Sequence, residues 1–255
     1  MKTKIFLFAI LFFAMTQVWA QSNNKKGEVQ SRIPLLGETA PSFTAESTNG
    51  TIEFPADYGS KWKIICSHPA DFTPVCTSEI LELALMQQDF KDLNCALLVV
   101  STDDLQRHKG WKKAIEEMTT TDKNNEPVKI KFPSNDKNNE PVKIKFPLVD
   151  DSKMNISWEY GMINPTVDSR HAVRGVFIID PDNKIRSISF YPNEVGRNID
   201  EIKRAVIALQ TSDKNTVLTP ANWVLGKDVL LPYPKSVDYY KTHEDIHGYM
   251  IYSKL

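Results

Sequence analysis

Residues 61–90, KWKIICSHPADFTPVCTSEILELALMQQDF, decide how the chain folds. The opening KWKIIC reads as a buried strand, and EILELALMQQDF carries apolar residues at helical spacing. Between them lie Ser67-His68-Pro69-Ala70-Asp71-Phe72-Thr73-Pro74-Val75-Cys76. Pro74 suits the first helical position, where an N–H has no partner to lose, and Thr73 suits the N-cap before it. That spacing puts Cys76 in the first turn of the helix. Unpaired N–H groups and the helix dipole favour a thiolate there, and the thiolate is the nucleophilic form of cysteine. A strand that ends in a loop and presents a cysteine at a helix N-terminus is a candidate nucleophilic site. The plainer alternative is a proline-stiffened turn with an inert cysteine.

The chain has 255 residues, 41% apolar and 25% charged, enough for one large domain, or one domain and a smaller appendage, around a real core. A formal net charge of -1 leaves no electrostatic footprint for nucleic acid or an anionic membrane, so neither is expected as a partner. Lys2 and Lys4, the apolar run at residues 5–15 and the small-residue end Val18-Trp19-Ala20 read as a signal peptide over residues 1–20. The apolar run is too short to span a bilayer comfortably. The expected destination is periplasmic or extracellular, after cleavage near Ala20.

Three cysteines, Cys66, Cys76 and Cys95, leave at least one thiol unpaired in an exported chain. Cys66 and Cys95 sit in apolar strand-like runs, where free cysteine behaves as a small buried hydrophobe. Sequence alone leaves a bridge between them open. There is no C-x-x-C for a dithiol oxidoreductase. No cofactor or metal is expected, since His68, His108, His171, His243 and His247 show no ligand spacing with the cysteines.

From Pro34 the pattern alternates strand and helix. After the helix from Pro74, CALLVVSTDD reads as a buried strand ending in capping aspartates. Leu105, His108, Trp111, Ile115 and Met118 form one face of a second helix, with His108 read as packed or half-exposed rather than a ligand. DKNNEPVKIKFPSN (residues 122–135) is then repeated as DKNNEPVKIKFPLV (residues 136–149) with twelve of fourteen positions identical. Two such short copies make no solenoid. One copy is expected to protrude and the fold to continue through the second, since loop-closure entropy grows slowly with length. VRGVFIID-PDNK-IRSISF reads as a hairpin, and NIDEIKRAVIALQ as a helix capped by Asn198. The fold class is α/β, a mixed sheet with flanking helices and a small C-terminal extension.

Pro69-x-x-x-Thr73-x-x-Cys76, within SHPADFTPVCTSE, resembles the active-site motif of the peroxiredoxin (AhpC/TSA) family, and its histidine resembles the one-cysteine subgroup. Similarity runs on through VRGVFIIDPDNKIRSISFYPNEVGRNIDEIKRAVIALQ and TPANW. The resemblance implies a thioredoxin-like peroxidase domain over residues 33–190, carrying the duplicated loop at 122–149. It also implies a C-terminal module over residues 191–255 and assembly as a homodimer or higher homo-oligomer. It makes Cys76 the peroxidatic cysteine, Thr73 its hydrogen-bond partner, Pro69 a shield, and Arg174 the group holding sulfur and peroxide. Arg197 matches a second arginine near the pocket, and His68 the subgroup's histidine. The implied reaction reduces hydrogen peroxide and organic hydroperoxides, forming a sulfenic acid at Cys76. With no later cysteine, the expected reductant is an external thiol, thioredoxin-like or of low molecular weight. Tyr58-Gly59-Ser60-Lys61-Trp62 lacks the lipase-like G-x-S-x-G of some animal members, so no phospholipase activity is expected. A competing cysteine hydrolase, with His68 as base, would need an orienting group for the histidine and an oxyanion hole.

Overall fold

The apolar run before the loop forms the central strand, β3 (Trp62–Ser67), in a five-stranded sheet of order β5-β4-β3-β6-β7. The computed structural model describes residues 32–118, 142–232 and 251–255. Parallel partners lie on one side of β3: β4 (Cys95–Ser101), then β5 (Leu148–Asp150). Antiparallel partners lie on the other: β6 (Arg174–Ile179), then β7 (Ile185–Tyr191). The expected hairpin is the β6–β7 pair, turned at Pro181 to Lys184, with Asn183 at φ 61° in the left-handed conformation asparagine tolerates. A short hairpin of β1 (Phe43–Ala45) and β2 (Ile52–Phe54) precedes the sheet.

Period-two alternation along β3 divides the core. Trp62, Ile64 and Cys66 face a layer built from α1 (Pro74–Asp92), α2 (Leu105–Met118) and α4 (Ile199–Asn215). Ile65 faces Phe54 of β2, Phe177, and Ile156 and Tyr160 in and after the short α3 (Asn155–Glu159). Helix α1 buries Ile80, Leu83, Ala84 and Phe90, the stripe its sequence predicts, and each such side chain contributes about 1.5–3 kcal/mol by leaving water. Lys63 is a charged residue inside the central strand. Its Nζ donates to the Asp180 carbonyl and Asn183 Oδ1, so the buried ammonium keeps partners.

Helix α4 is capped as expected, Asn198 Oδ1 accepting from the Glu201 N–H at 3.0 Å. Its Ile199, Ile202 and Val206 lie in the same core as α1. The stretch after it forms its own small cluster of Ala208, Val217, Trp223 and Val229, near the pairing of β8 (Val229–Leu230) with β9 (Tyr252–Ser253). The end of the second repeat copy rejoins the fold, with Ile144, Phe146 and Leu148 buried. The first copy, residues 1–20 with their expected signal peptide, most of the polar lead-in and the His243/His247 pair lie outside the described residues.

Candidate active site

Thr73 is the N-cap of α1, Pro74 its first residue and Cys76 its third, and the sulfur is fully buried. On the sheet side, the pairing of β3 with β6 sets Cys66 opposite Val176. Arg174, two residues earlier, therefore lies where the chain leaves β3 for the loop. Its Nη1 donates to Cys76 Sγ at 3.2 Å and to Glu79 Oε2 at 2.8 Å. Its Nε and Nη2 both reach the Asn193 carbonyl, at 3.2 and 2.9 Å. Arg197 grips the same carboxylate. Its backbone N–H and Nε donate to Glu79 Oε1 at 2.8 and 2.9 Å, and Nη2 donates to Oε2 at 2.7 Å. Its Nη1 donates to the carbonyls of Ser67 and Gly175, both at 2.9 Å. All three charged side chains are buried. Two guanidiniums against one carboxylate leave a positive charge facing the sulfur, and buried charge needs a partner.

On the loop side the anchor is Asp71, also buried. Its Oδ2 meets His108 Nδ1 at 2.8 Å, while His108 Nε2 meets the Val149 carbonyl at 3.1 Å. A carbonyl only accepts, so Nε2 carries a proton, and Nδ1 and the carboxylate share another. Burial opposes charge on His108, but the Asp71 hydrogen bond and charge, the Val149 carbonyl and the Asp103 charge together outweigh it and hold the imidazole pKa above its ordinary value. Burial raises the Asp71 carboxyl. His68 packs against Trp111, ring centroids 5.1 Å apart. Its two ring nitrogens and Asp71 Oδ1 are buried and have no hydrogen-bond partner among the described residues. Burial, then the positive charges of His108, Arg197 and Arg174, hold the His68 pKa well below its ordinary value, so the ring is neutral. Between Asp71 and Thr73, the exposed Phe72 adopts φ 60°, a conformation rare for a bulky side chain.

Cys66 and Cys95 are free and buried, so the bridge left open by the sequence does not form. Burial pushes their thiols up to about 11 and about 12. Neither of two surface clefts, one between β1 and α3 and one beside Trp62 and Arg186, contains these site residues. Among the described residues no cluster of three or more His, Cys, Asp or Glu is placed to hold a metal.

The AhpC/TSA family pattern matches residues 36–188, and that of the C-terminal domain of 1-Cys peroxiredoxin matches residues 208–243. Over 206 residues the chain is 47% identical to a peroxiredoxin of Methanosarcina mazei, covering 81% of this chain and 87% of that one. The chain belongs to the AhpC/TSA family of peroxiredoxins. A yeast mitochondrial 1-Cys peroxiredoxin superposes with a TM-score of 0.72 at 34% identity, over 88% of this chain and 100% of that one. Peroxiredoxin 6 of Arenicola marina superposes with a TM-score of 0.71 at 29% identity, over 87% and 98%. This peroxiredoxin is accordingly a thiol-dependent peroxidase of thioredoxin-like fold with the C-terminal domain of 1-Cys members.

Of the residues singled out in the sequence, the peroxiredoxin brings Cys76 and Arg174 into contact and ties Arg197 to both through Glu79. Thr73 differs from its expected role. Its hydroxyl donates to the Ala70 carbonyl at 2.9 Å instead of to the sulfur, a local bond that closes the loop on itself. Its carbonyl accepts from the N–H and hydroxyl of Thr77 in the first helical turn. Pro69 is half-buried between the buried His68 and Asp71. The described contacts of His68 are with Trp111, His108 and Asp71, on the side of the loop facing α2. His108 is fully buried and paired, more deeply held than its helical pattern suggests. Glu79 escaped the sequence reading. Its signal was present, a carboxylate three residues after Cys76 on the apolar face of α1.

Proposed function

We propose that Cys76 is the peroxidatic cysteine, attacking the peroxide O–O bond as a thiolate. The observation that carries this reading is the 3.2 Å contact of Arg174 Nη1 with the Cys76 sulfur at the start of α1. The sulfur takes one peroxide oxygen, an S–O bond forms, the O–O bond breaks, and the other oxygen leaves as hydroxide or alkoxide and takes up a proton. Arg174 stabilises the charge developing on the oxygens. Four of its five N–H groups have partners among the described residues, and the remaining Nη2–H is available to the peroxide. Glu79 and Arg197 fix the direction of that guanidinium. Thr73 shapes the loop over the sulfur through Ala70, Pro69 stiffens it, and His68 lines its inner side.

The Cys76 sulfenic acid returns to the thiol through two equivalents of an external thiol. The buried, protonated thiols at Cys66 and Cys95 are poor nucleophiles. The related yeast structure concerns thiol resolution by glutathione and thioredoxin systems, which supports a reductant of either class here. Hydrogen peroxide and small organic hydroperoxides are the substrates, the working unit is a homodimer or higher homo-oligomer, and residues 1–20 direct export.

The test is peroxide consumption with dithiothreitol as reductant. Wild type and the Cys66→Ser/Cys95→Ser double variant turn over, and Cys76→Ser does not. Turnover by Cys76→Ser would sink the assignment.

A further inference from the structure

We infer that the Ser67 hydroxyl is a positioning group for the peroxidase reaction. From the far face of the sheet it fixes the backbone of Arg174, and so sets where the guanidinium meets the Cys76 sulfur. The inference rests on Cys76 being the peroxidatic residue and Arg174 its partner in the chemistry. Ser67 ends β3, and side chains alternate along that strand. Cys66 belongs to the core that holds Cys76, whereas Ile65, and with it Ser67, faces the other core. Ser67 is fully buried there. A serine buried on an apolar strand face costs free energy unless its hydroxyl finds partners. Its partners lie on either side of one residue.

The register of β3 against β6 runs from Lys63 opposite Ile179 to Cys66 opposite Val176, so the next residues to meet are Ser67 and Gly175. The Ser67 hydroxyl donates to the Val173 carbonyl at 2.5 Å and accepts from the Gly175 N–H at 2.8 Å. It therefore brackets Arg174, using its donor and an acceptor site together. The same Gly175 N–H lies 3.0 Å from the Val173 carbonyl, which closes a three-residue turn centred on Arg174. Arg197 tightens the junction, its Nη1 donating to the carbonyls of Ser67 and Gly175. Glycine at position 175 makes the close approach possible. A Cβ there would stand 3.0 Å from Ser67 Oγ, 3.2 Å from the Phe190 ring and 3.3 Å from the Met162 sulfur.

The turn carries the side chain that touches the sulfur. Glu79 and the Asn193 carbonyl hold the tip of Arg174, while Ser67 holds its root. A long side chain is aimed when both ends are fixed, and a misplacement of about 1 Å in a group serving the reaction costs about 10²-fold in rate. Without the hydroxyl, the Val173 carbonyl loses that donor and the turn loses its side-chain tie to β3. Both hydrogen bonds of the hydroxyl go to backbone, so its effect on the reaction passes through Arg174. Ser67 is a positioning residue, acting from behind the sheet.

The test is a double-mutant cycle on the second-order rate constant with hydrogen peroxide, followed in the full chain by stopped-flow tryptophan fluorescence. Ser67→Ala lowers that constant about tenfold, as a misplacement of less than an ångström does. Ser67→Thr, which keeps the hydroxyl, restores most of the rate, and Ser67→Val, of the same shape without the hydroxyl, does not. In an Arg174→Ala background, Ser67→Ala changes the rate by less than about twofold, because the group it positions is gone. A serine that only supports the fold lowers the rate by the same factor with or without Arg174. That additive result, a rate unchanged by Ser67→Ala, or equal rates for Ser67→Thr and Ser67→Val overturns the inference and leaves the reading of Arg174 standing. If Ser67→Ala does not fold, the threonine and valine pair decides. If Arg174→Ala alone leaves the rate unchanged, the reading of the guanidinium itself fails and the inference with it.

Discussion

On the sheet side of Cys76, Glu79 accepts four hydrogen bonds from Arg174 and Arg197, and the guanidiniums spend their other bonds on backbone carbonyls and the Cys76 sulfur. On the loop side, three buried polar atoms of His68 and Asp71 make no hydrogen bond among the described residues, two of them facing each other at 3.5 Å, and Phe72 is held at a positive φ. A buried network this densely bonded is stiff, because any displacement breaks several bonds in a low-dielectric setting. A loop with unpaid desolvation and backbone strain lies near the low end of local stability. The stiff side is suited to aiming a guanidinium at a transition state.

Exchanging one carboxylate for its amide on each side sets the two against each other. Glu79→Gln leaves two buried guanidiniums without their counter-charge and costs about 3–5 kcal/mol, read from the urea midpoint. Asp71→Asn costs less, about 1.5–3 kcal/mol, because the amide oxygen still accepts one bond from His108. Equal losses would break the comparison. Next in size is Arg174→Ala, which lowers the second-order rate constant with hydrogen peroxide about 10²–10³-fold, as removal of a preorganised donor does. A rate unchanged by that substitution would take the guanidinium out of the chemistry.

The smallest effect is a proton. His68 is buried with its pKa depressed, by burial first and then by the positive charges of His108, Arg197 and Arg174. Below about pH 6.5 the unfolded chain binds a proton at this position that the native state does not, so stability falls with acidification by up to about 1.4 kcal/mol per pH unit. His108 has the opposite sign. Its pKa is raised by Asp71 against the effect of burial, so its contribution is complete below about pH 6.5 and is lost as pH rises through its native value. The difference between wild type and His68→Gln in denaturation midpoints from pH 7 to 5 isolates the first effect. Parallel curves would mean that His68 takes up its proton alike in the native and unfolded states.

The strand, the loop, the helix start at Pro74 and the later hairpin were legible because each is a local pattern of period, proline and cap. The strands β1, β2, β8 and β9 were not, since two or three residues are too few to show a period. Arg174 was pointed to by family resemblance alone, because it meets Cys76 across 98 positions of chain and no local spacing encodes that pairing. Glu79 was visible only as a charge on an apolar helix face, with its meaning supplied by Arg197, 118 positions away. His108 was read correctly as a packed residue, but its partner Asp71 lies across 37 positions, in the loop that the sequence presented as a turn.

The most direct measurement of the central claim is mass spectrometry of the chain after one equivalent of hydrogen peroxide, with dimedone present to trap sulfenic acid. The account predicts one adduct, on Cys76, with Cys66 and Cys95 remaining thiols. Oxidation appearing first on Cys66 or Cys95 while Cys76 stays reduced would contradict it.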